Sequence, residues 1–260
     1  MTLLHTLRWS FLIGLADARA IHDVRTWVFG WLLRVLCQVV FFASIGLVVG
    51  EGKVEYLVVG HSVLVGASTV LFVVASTVWE RRLGTLPLLV ASPSSPFVVF
   101  AGRSAQWVLE GLVLATLSLL VAPAVFGLPV RPTTVLVAVP VLLVSLLSVF
   151  WFGLLLGAVV LARPHLRSVV ANLAMLTLML FAGVNVPVAF WPDGLSVAAN
   201  ALPMTHGLAA VRTLVTTGAL DLGRVGLEAA VGAAWLGAAI LVFARLVTRV
   251  RRDGTLAHEG

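Results

Sequence analysis

Between residues 27 and 246 the chain is built of six apolar runs, each long enough to cross a bilayer: about 27–49, 57–79, 104–126, 134–162, 169–186 and 222–246. A hydrocarbon core about 30 Å thick takes roughly 20 residues of α-helix. No water in that core can satisfy a bare backbone, so an apolar run of this length must close its own hydrogen bonds as a helix. Only 11% of the residues are charged, where soluble domains carry about a quarter, and mean hydropathy is +1.10. The expected fold class is therefore all-α integral membrane, with about six transmembrane helices.

The charges that remain set a topology. With both termini on one side, that side receives Arg8, Arg19, Arg25, Arg81, Arg82, Arg103, Arg163, Arg167, Arg245, Arg249, Arg251 and Arg252. The other side receives only Lys53, Arg131, Arg212 and Arg224. Twelve against four is a positive-inside bias, so both termini are expected in the cytosol of a cell whose plasma (inner) membrane holds the chain. The same clustering beside apolar runs argues against nucleic acid as a partner, despite a pI near 11.2. Arg34 falls inside the first run and must snorkel or find a partner.

Several chemistries lack their residues. The single cysteine, Cys37, excludes a disulfide within the chain. The one lysine, Lys53, stands in Gly50-Glu51-Gly52-Lys53-Val54, without the Ser/Thr of a phosphate-binding loop. No H-E-x-x-H, cysteine pair or carboxylate pair within the spans occurs, so a zinc enzyme or an intramembrane protease is not expected, and no catalytic or metal-binding residue is singled out. Glu110 is an isolated acid near the start of the third run. Gly153 and Gly157 form a G-x-x-x-G that reads as helix packing.

Residues 1–26 form a first unit ahead of the six-helix domain 27–260. Leu4, Leu7, Phe11, Leu15 and Ala18 fall on one helical face, with Arg8, Asp17, Arg19, Asp23 and Arg25 supplying charge. An amphipathic helix lying on the cytosolic membrane surface is expected. The start lacks the charged n-region of a signal peptide, and Arg8 interrupts its apolar part.

Two interruptions carry more than connection. The first is the loop 80–103. Glu80, Arg81 and Arg82 end the second run; Gly84 and Thr85 read as a turn and N-cap, and Pro87 suits a first helical turn. Leu86, Leu88, Leu89 and Val90 give a short helix an apolar side that Ser92-Pro93 ends. The second is the segment 187–218, broken by Pro187, Pro192, Pro203 and Gly207 yet too apolar for an ordinary loop. It reads as one or two short re-entrant helices in the outer half of the bundle, since irregular backbone at membrane depth needs protein around it. Thr205 is the expected cap of a helix holding Arg212 and ending near Gly218.

Both interruptions resemble the permease subunits of ABC-2-type transporters. In that family the first cytoplasmic loop carries a glutamate, a Gly-Thr-Leu, a Leu-Leu and a Ser-Pro; here these are Glu80, Gly84-Thr85-Leu86, Leu88-Leu89 and Ser92-Pro93. Pro87 stands where the family often has an acidic residue. The family's proline-broken segment between spans five and six has a Pro-Leu/Met-Thr-His core and a following arginine, here Pro203-Met204-Thr205-His206 and Arg212. The resemblance implies a homodimer, or a heterodimer with a similar permease, in contact with membrane lipid and seated on a separate ABC ATPase subunit. ATP and Mg2+ would be held by that subunit. It also implies ATPase coupling through Glu80, Arg81, Arg82, Gly84, Thr85, Leu88, Leu89 and Pro93, and an outer gate at Pro203, Thr205, His206 and Arg212. Asn172, Thr177 and Asn185 are candidates for a substrate path, or for helix packing. The implied activity is export of a hydrophobic or amphipathic molecule: a drug, natural product or lipid-linked compound. An ion-coupled secondary transporter and a non-transporting immunity or scaffold protein remain open on the residues alone.

Overall fold

The computed structural model describes residues 3–21, 23–50, 52–76 and 95–253. Among them the backbone is helical and six helices are long and apolar enough to cross a membrane. The chain is a multi-pass, all-α membrane protein. Helix α1 is Leu3–Ile21. The first four spans are α2 (Trp27–Val49), α3 (Lys53–Ser76), α4 (Pro96–Val125) and α5 (Pro132–Ala162). The fifth is α6 (Arg167–Phe181), followed by short helices α7 (Asp193–Asn200) and α8 (Thr205–Thr217), then the sixth span α9 (Leu222–Asp253).

Helix α3 is the axis of the bundle. Its most apolar window is 83% buried, against 22% for α2 and 11% for the window covering α6. The reason is in its side chains: Gly60, Ser62, Gly66, Ala67 and Ser68 are small. Without a hydrophobic driving force in lipid, small residues that let backbones touch decide which helix goes inside. At the crossing of α3 and α4 the glycines face each other's backbone. A Cβ on Gly66 would lie 2.8 Å from the Gly111 carbonyl oxygen, and one on Gly111 2.7 Å from that of Gly66. Helices α2, α4 and α5 surround α3, and α9 lies along α5. At 31 residues, α5 is about 46 Å long, well beyond the hydrocarbon thickness.

Three spans lose regular helical hydrogen bonding near the end that holds the termini, called here the terminal end. Helix α2 opens with a π-turn, Trp27–Leu32. Helix α3 breaks at Leu71, where the Val74 N–H reaches back only three residues to the Leu71 carbonyl. Helix α4 breaks at Ala105, whose N–H bonds the Gly102 carbonyl. Aromatic rings bridge these breaks: Trp31 to Phe72 at 5.1 Å, and Phe72 to Trp107 at 5.3 Å between centroids. The Trp27 indole N–H donates to Glu110 (3.0 Å), which gives that isolated acid a partner inside the bundle. Arg34 is exposed and lies over the Trp31 ring at 5.2 Å.

Several expectations change. The connection after the first span is shorter than read: Lys53 and Glu55 are already helical, because Gly50 and Gly52 take positive φ and turn the chain within a few residues. The fifth span ends at Phe181 rather than near 186, so Asn185 lies beyond it in a bend. On α1, Ser10 and Gly14 are buried, while Leu4 and Leu7, on the face expected to lie on the membrane surface, are 79% and 42% exposed. A Cβ on Gly14 would strike the Arg103 carbonyl, and one on Gly102 would lie 2.6 Å from the Ser10 Cβ. The contact is set by closeness of approach, which small residues permit and leucines do not. Asp17 closes it by accepting from Arg103 at 2.6 Å. The short helix expected at 84–92, with Glu80, Arg81, Arg82, Gly84, Thr85, Leu88, Leu89 and Pro93, lies outside the described residues.

Candidate functional site

The opposite, distal end holds the connections between spans one and two, three and four, and five and six. There the chain leaving α6 bends through 182–186, makes a short turn at Val188–Phe190, and returns as α7 and α8. Helix α8 packs on α5, α9 and α3. Two charged side chains hold it.

Arg212, near the middle of α8, is the hub of the first tie. It donates from Nη1 to the Gly183 carbonyl (2.6 Å), and from Nη2 to the carbonyls of Val184 (3.0 Å) and Tyr56 (3.2 Å). Its guanidinium lies 3.5 Å from the centroid of the Tyr56 ring, and the Tyr56 hydroxyl donates to the same Gly183 oxygen (2.6 Å). A guanidinium is planar, permanently charged and rich in donors, so it can cross-link carbonyls from separate segments, as an ammonium cannot. Here those segments are α3, α8 and the bend after α6. Gly60 makes room: a Cβ there would sit 2.6 Å from the Val184 oxygen and 2.7 Å from Arg212 Nη2. Gly60→Ala is accordingly expected to weaken the knot by about 1–3 kcal/mol, as overpacking does, read as a lower melting temperature in detergent. An unchanged melt would mean that the bend gives way without cost.

The second tie is Glu228 of α9, wholly buried. Its carboxylate accepts the N–H groups of Met204 (2.7 Å) and Gly207 (2.9 Å) at the start of α8. This replaces the expected cap. Thr205 instead donates to the Ala199 carbonyl (2.9 Å), and Met204 precedes the helix with φ 73° and no side-chain cap of its own. The tight return from α7 forces that left-handed backbone, which costs a non-glycine residue about 1–2 kcal/mol. The buried carboxylate offsets it by accepting the donors the turn exposes and by meeting the positive end of the helix.

The residues singled out from sequence do not all converge. Pro203, Thr205, His206 and Arg212 lie on the returning segment; His206 Nε2 bonds the Asn200 carbonyl at 3.0 Å. Asn185 meets His61 of α3, Oδ1 to Nε2 at 2.9 Å. Asn172 is exposed on α6, about 14 Å along the axis from its last residue, and Thr177 is half-buried. Two residues of these ties were passed over: Tyr56, the only tyrosine, and Glu228. Glu228 carried a signal, since an acid inside an apolar span is costly unless paired. Tyr56 carried none beyond its rarity. Among the described residues no cluster of His, Cys, Asp or Glu is placed to hold a metal.

A cavity of about 510 Å3 lies beside the knot, lined by Arg212, His206, Thr213, Thr216 and Arg224 among others. Another of about 480 Å3 lies across Tyr56, against α2. A charged knot on a broken segment between spans five and six is thus flanked by space on both sides. A family model described as ABC-2 type transporter matches residues 12–215, from α1 through Arg212. The chain belongs to the ABC-2 type transporter family. No curated protein matches it. The chain is thus an ABC-2 permease, the membrane component of a transporter of a kind that works with an ABC ATPase. In this permease the matched region covers five of the six spans, the first interruption and the second as far as residue 215.

Proposed function

We propose that this permease exports a hydrophobic or amphipathic molecule (a drug, natural product or lipid-linked compound) across a bacterial plasma membrane. Both termini lie in the cytosol, as the arginine bias favours. A separate ATPase subunit binds ATP and Mg2+ and seats on the 80–103 loop, with Glu80, Arg81 and Arg82 as polar contacts and Gly84, Thr85, Leu88, Leu89 and Pro93 shaping the docking helix. Two such permeases, identical or similar, pair about a two-fold axis.

The observation that carries the reading is the build of the segments on either side of 77–94. The segment after it, Pro96–Ser104, is clamped to α1 through Gly14, Gly102 and the Asp17–Arg103 pair. It is set off from the rest of α4 by the break at Ala105, as the segment before it is set off from α3 by the break at Leu71. A push on the loop would therefore move α1 and both segments together, and bend the spans at breaks that already exist. ATP favours whichever arrangement it binds better, which is all that coupling requires. The distal end then faces outside. Pro203, Thr205, His206 and Arg212 form an outer gate, and the candidates Asn172, Thr177 and Asn185 line the way to it.

Glu80→Ala with Arg81→Ala is expected to lower the co-purifying ATPase, or its substrate-stimulated turnover, about tenfold. The amount of permease in the membrane should not change. Equal association and turnover would remove this loop from the coupling path.

A further inference from the structure

The cavity beside α2 has the composition of a ligand site. Its walls are apolar, with Phe42, Ile45 and Phe190 among them, and the polar side chains lining it are Lys53, Tyr56 and Asn185. At about 480 Å3 it lies within the range of pockets that hold a small molecule or part of a lipid. Pockets of that kind are apolar with a few positioned polar groups, and here one of those groups is positioned from behind. His61 has no solvent contact. Its ring stacks on Phe42 with centroids 4.0 Å apart and planes at 9°, and its Nε2 meets Asn185 Oδ1 at 2.9 Å. With Oδ1 turned to His61, the amide NH2 of Asn185 is left as a donor without a partner among the described residues. The Tyr56 hydroxyl spends its proton on the Gly183 carbonyl. Lys53 is exposed, and among the described residues no carboxylate lines the cavity.

The way in is also apolar. Ile45 and Val49 both line the cavity and are 41% and 63% exposed, and the same helix exposes Phe41 and Val48 at 64% and 87%. A molecule reaching the cleft along α2 therefore comes from lipid, and at the cleft it meets one fixed donor and one cation. We infer that this cleft holds one acyl chain of an anionic phospholipid, with an ester carbonyl on the Asn185 amide and the phosphate beside Lys53. The site belongs to a resident lipid, and it holds whichever direction transport runs and whichever ATPase is the partner.

The test uses the full-length chain in dodecyl maltoside, read by native mass spectrometry. Three additions are compared at equal concentration: phosphatidylglycerol, phosphatidylcholine with the same acyl chains, and glycerol 3-phosphate. Phosphatidylglycerol should be retained about fivefold over phosphatidylcholine, the effect of one basic residue near a headgroup, and glycerol 3-phosphate should not be retained. Lys53→Gln should bring the ratio of the two lipids to about one. Ile45→Trp should fill the cleft and cut retention of both about tenfold. Val49→Trp serves the same purpose should Ile45→Trp not elute as a single folded species. Equal retention of the two lipids by the wild-type chain would overturn the charge assignment. Unchanged retention in the tryptophan variant would place the lipid elsewhere. Retention of glycerol 3-phosphate would make this a site for a free anion and end the acyl-chain assignment.

Discussion

Arg212→Ala is expected to be among the most damaging single substitutions in the distal half of the permease. It removes at once the three donors that join α8 to Gly183, Val184 and Tyr56. It also removes the cation from the Tyr56 ring. Each hydrogen bond from a charged donor contributes about 1.5–3 kcal/mol, and the carbonyls left behind have little water to turn to. Part of this is returned, because a buried charge no longer has to be desolvated. The net loss should be about 3–5 kcal/mol. Arg212→Lys should recover less than half, since an ammonium cannot reach three carbonyls and stack on a ring together. The measurements are a thermal melt in detergent and amide exchange across 182–190, which should quicken most. Transport should fall while ATPase association stays, because the knot is at the far end from the loop. Loss of association as well would mean that the knot supports the whole bundle rather than this segment.

Glu228→Ala should act on the same helix from its start. The Met204 and Gly207 N–H groups would lose their acceptor, and a left-handed Met204 would lose what offsets its backbone cost. Two charge-assisted bonds and the favourable meeting with the helix terminus suggest about 2–4 kcal/mol. Glu228→Gln should cost nearly as much, because one amide face presents a donor to backbone donors. Exchange should quicken at 204–208 rather than at 182–190, which separates the two ties. Because both side chains hold α8, the double variant should fall short of the sum by more than 0.5 kcal/mol. Strict additivity would show that α8 is anchored independently at its start and its middle, and that it does not move as one gate element.

These expectations show which parts of the molecule could be read from residues alone. The third span begins at Pro96, inside the stretch read as a loop to 103, but the six spans, the helical class and the interruption at 187–218 follow from run length and from prolines. Both are local: a run of apolar residues in lipid has one way to satisfy its backbone, and proline removes a donor wherever it stands. Arg212 was legible too, as a charge in a segment too apolar for a loop. The motif order in the two interruptions was enough to suggest the family that the match over residues 12–215 establishes.

The partners were not legible. That Arg212 binds carbonyls beside Tyr56, 156 residues earlier, depends on how α3 and α8 are brought together. Sequence spacing carries no information about that. The same holds for Glu228 displacing Thr205 as the cap, and for His61 fixing Asn185. Which residues of α1 meet the bundle was not legible either. Periodicity reports which side of a helix is greasy, but in lipid grease is not what joins helices. Closeness of approach is, and Ser10, Gly14 and Gly102 supply it. The sequence by itself determined that this chain spans a membrane six times and where its helices are interrupted, because those are properties of short stretches in a given solvent. Only the tertiary structure decided which helix is central, what each buried charge is bonded to and which small residues touch, because those are properties of pairs.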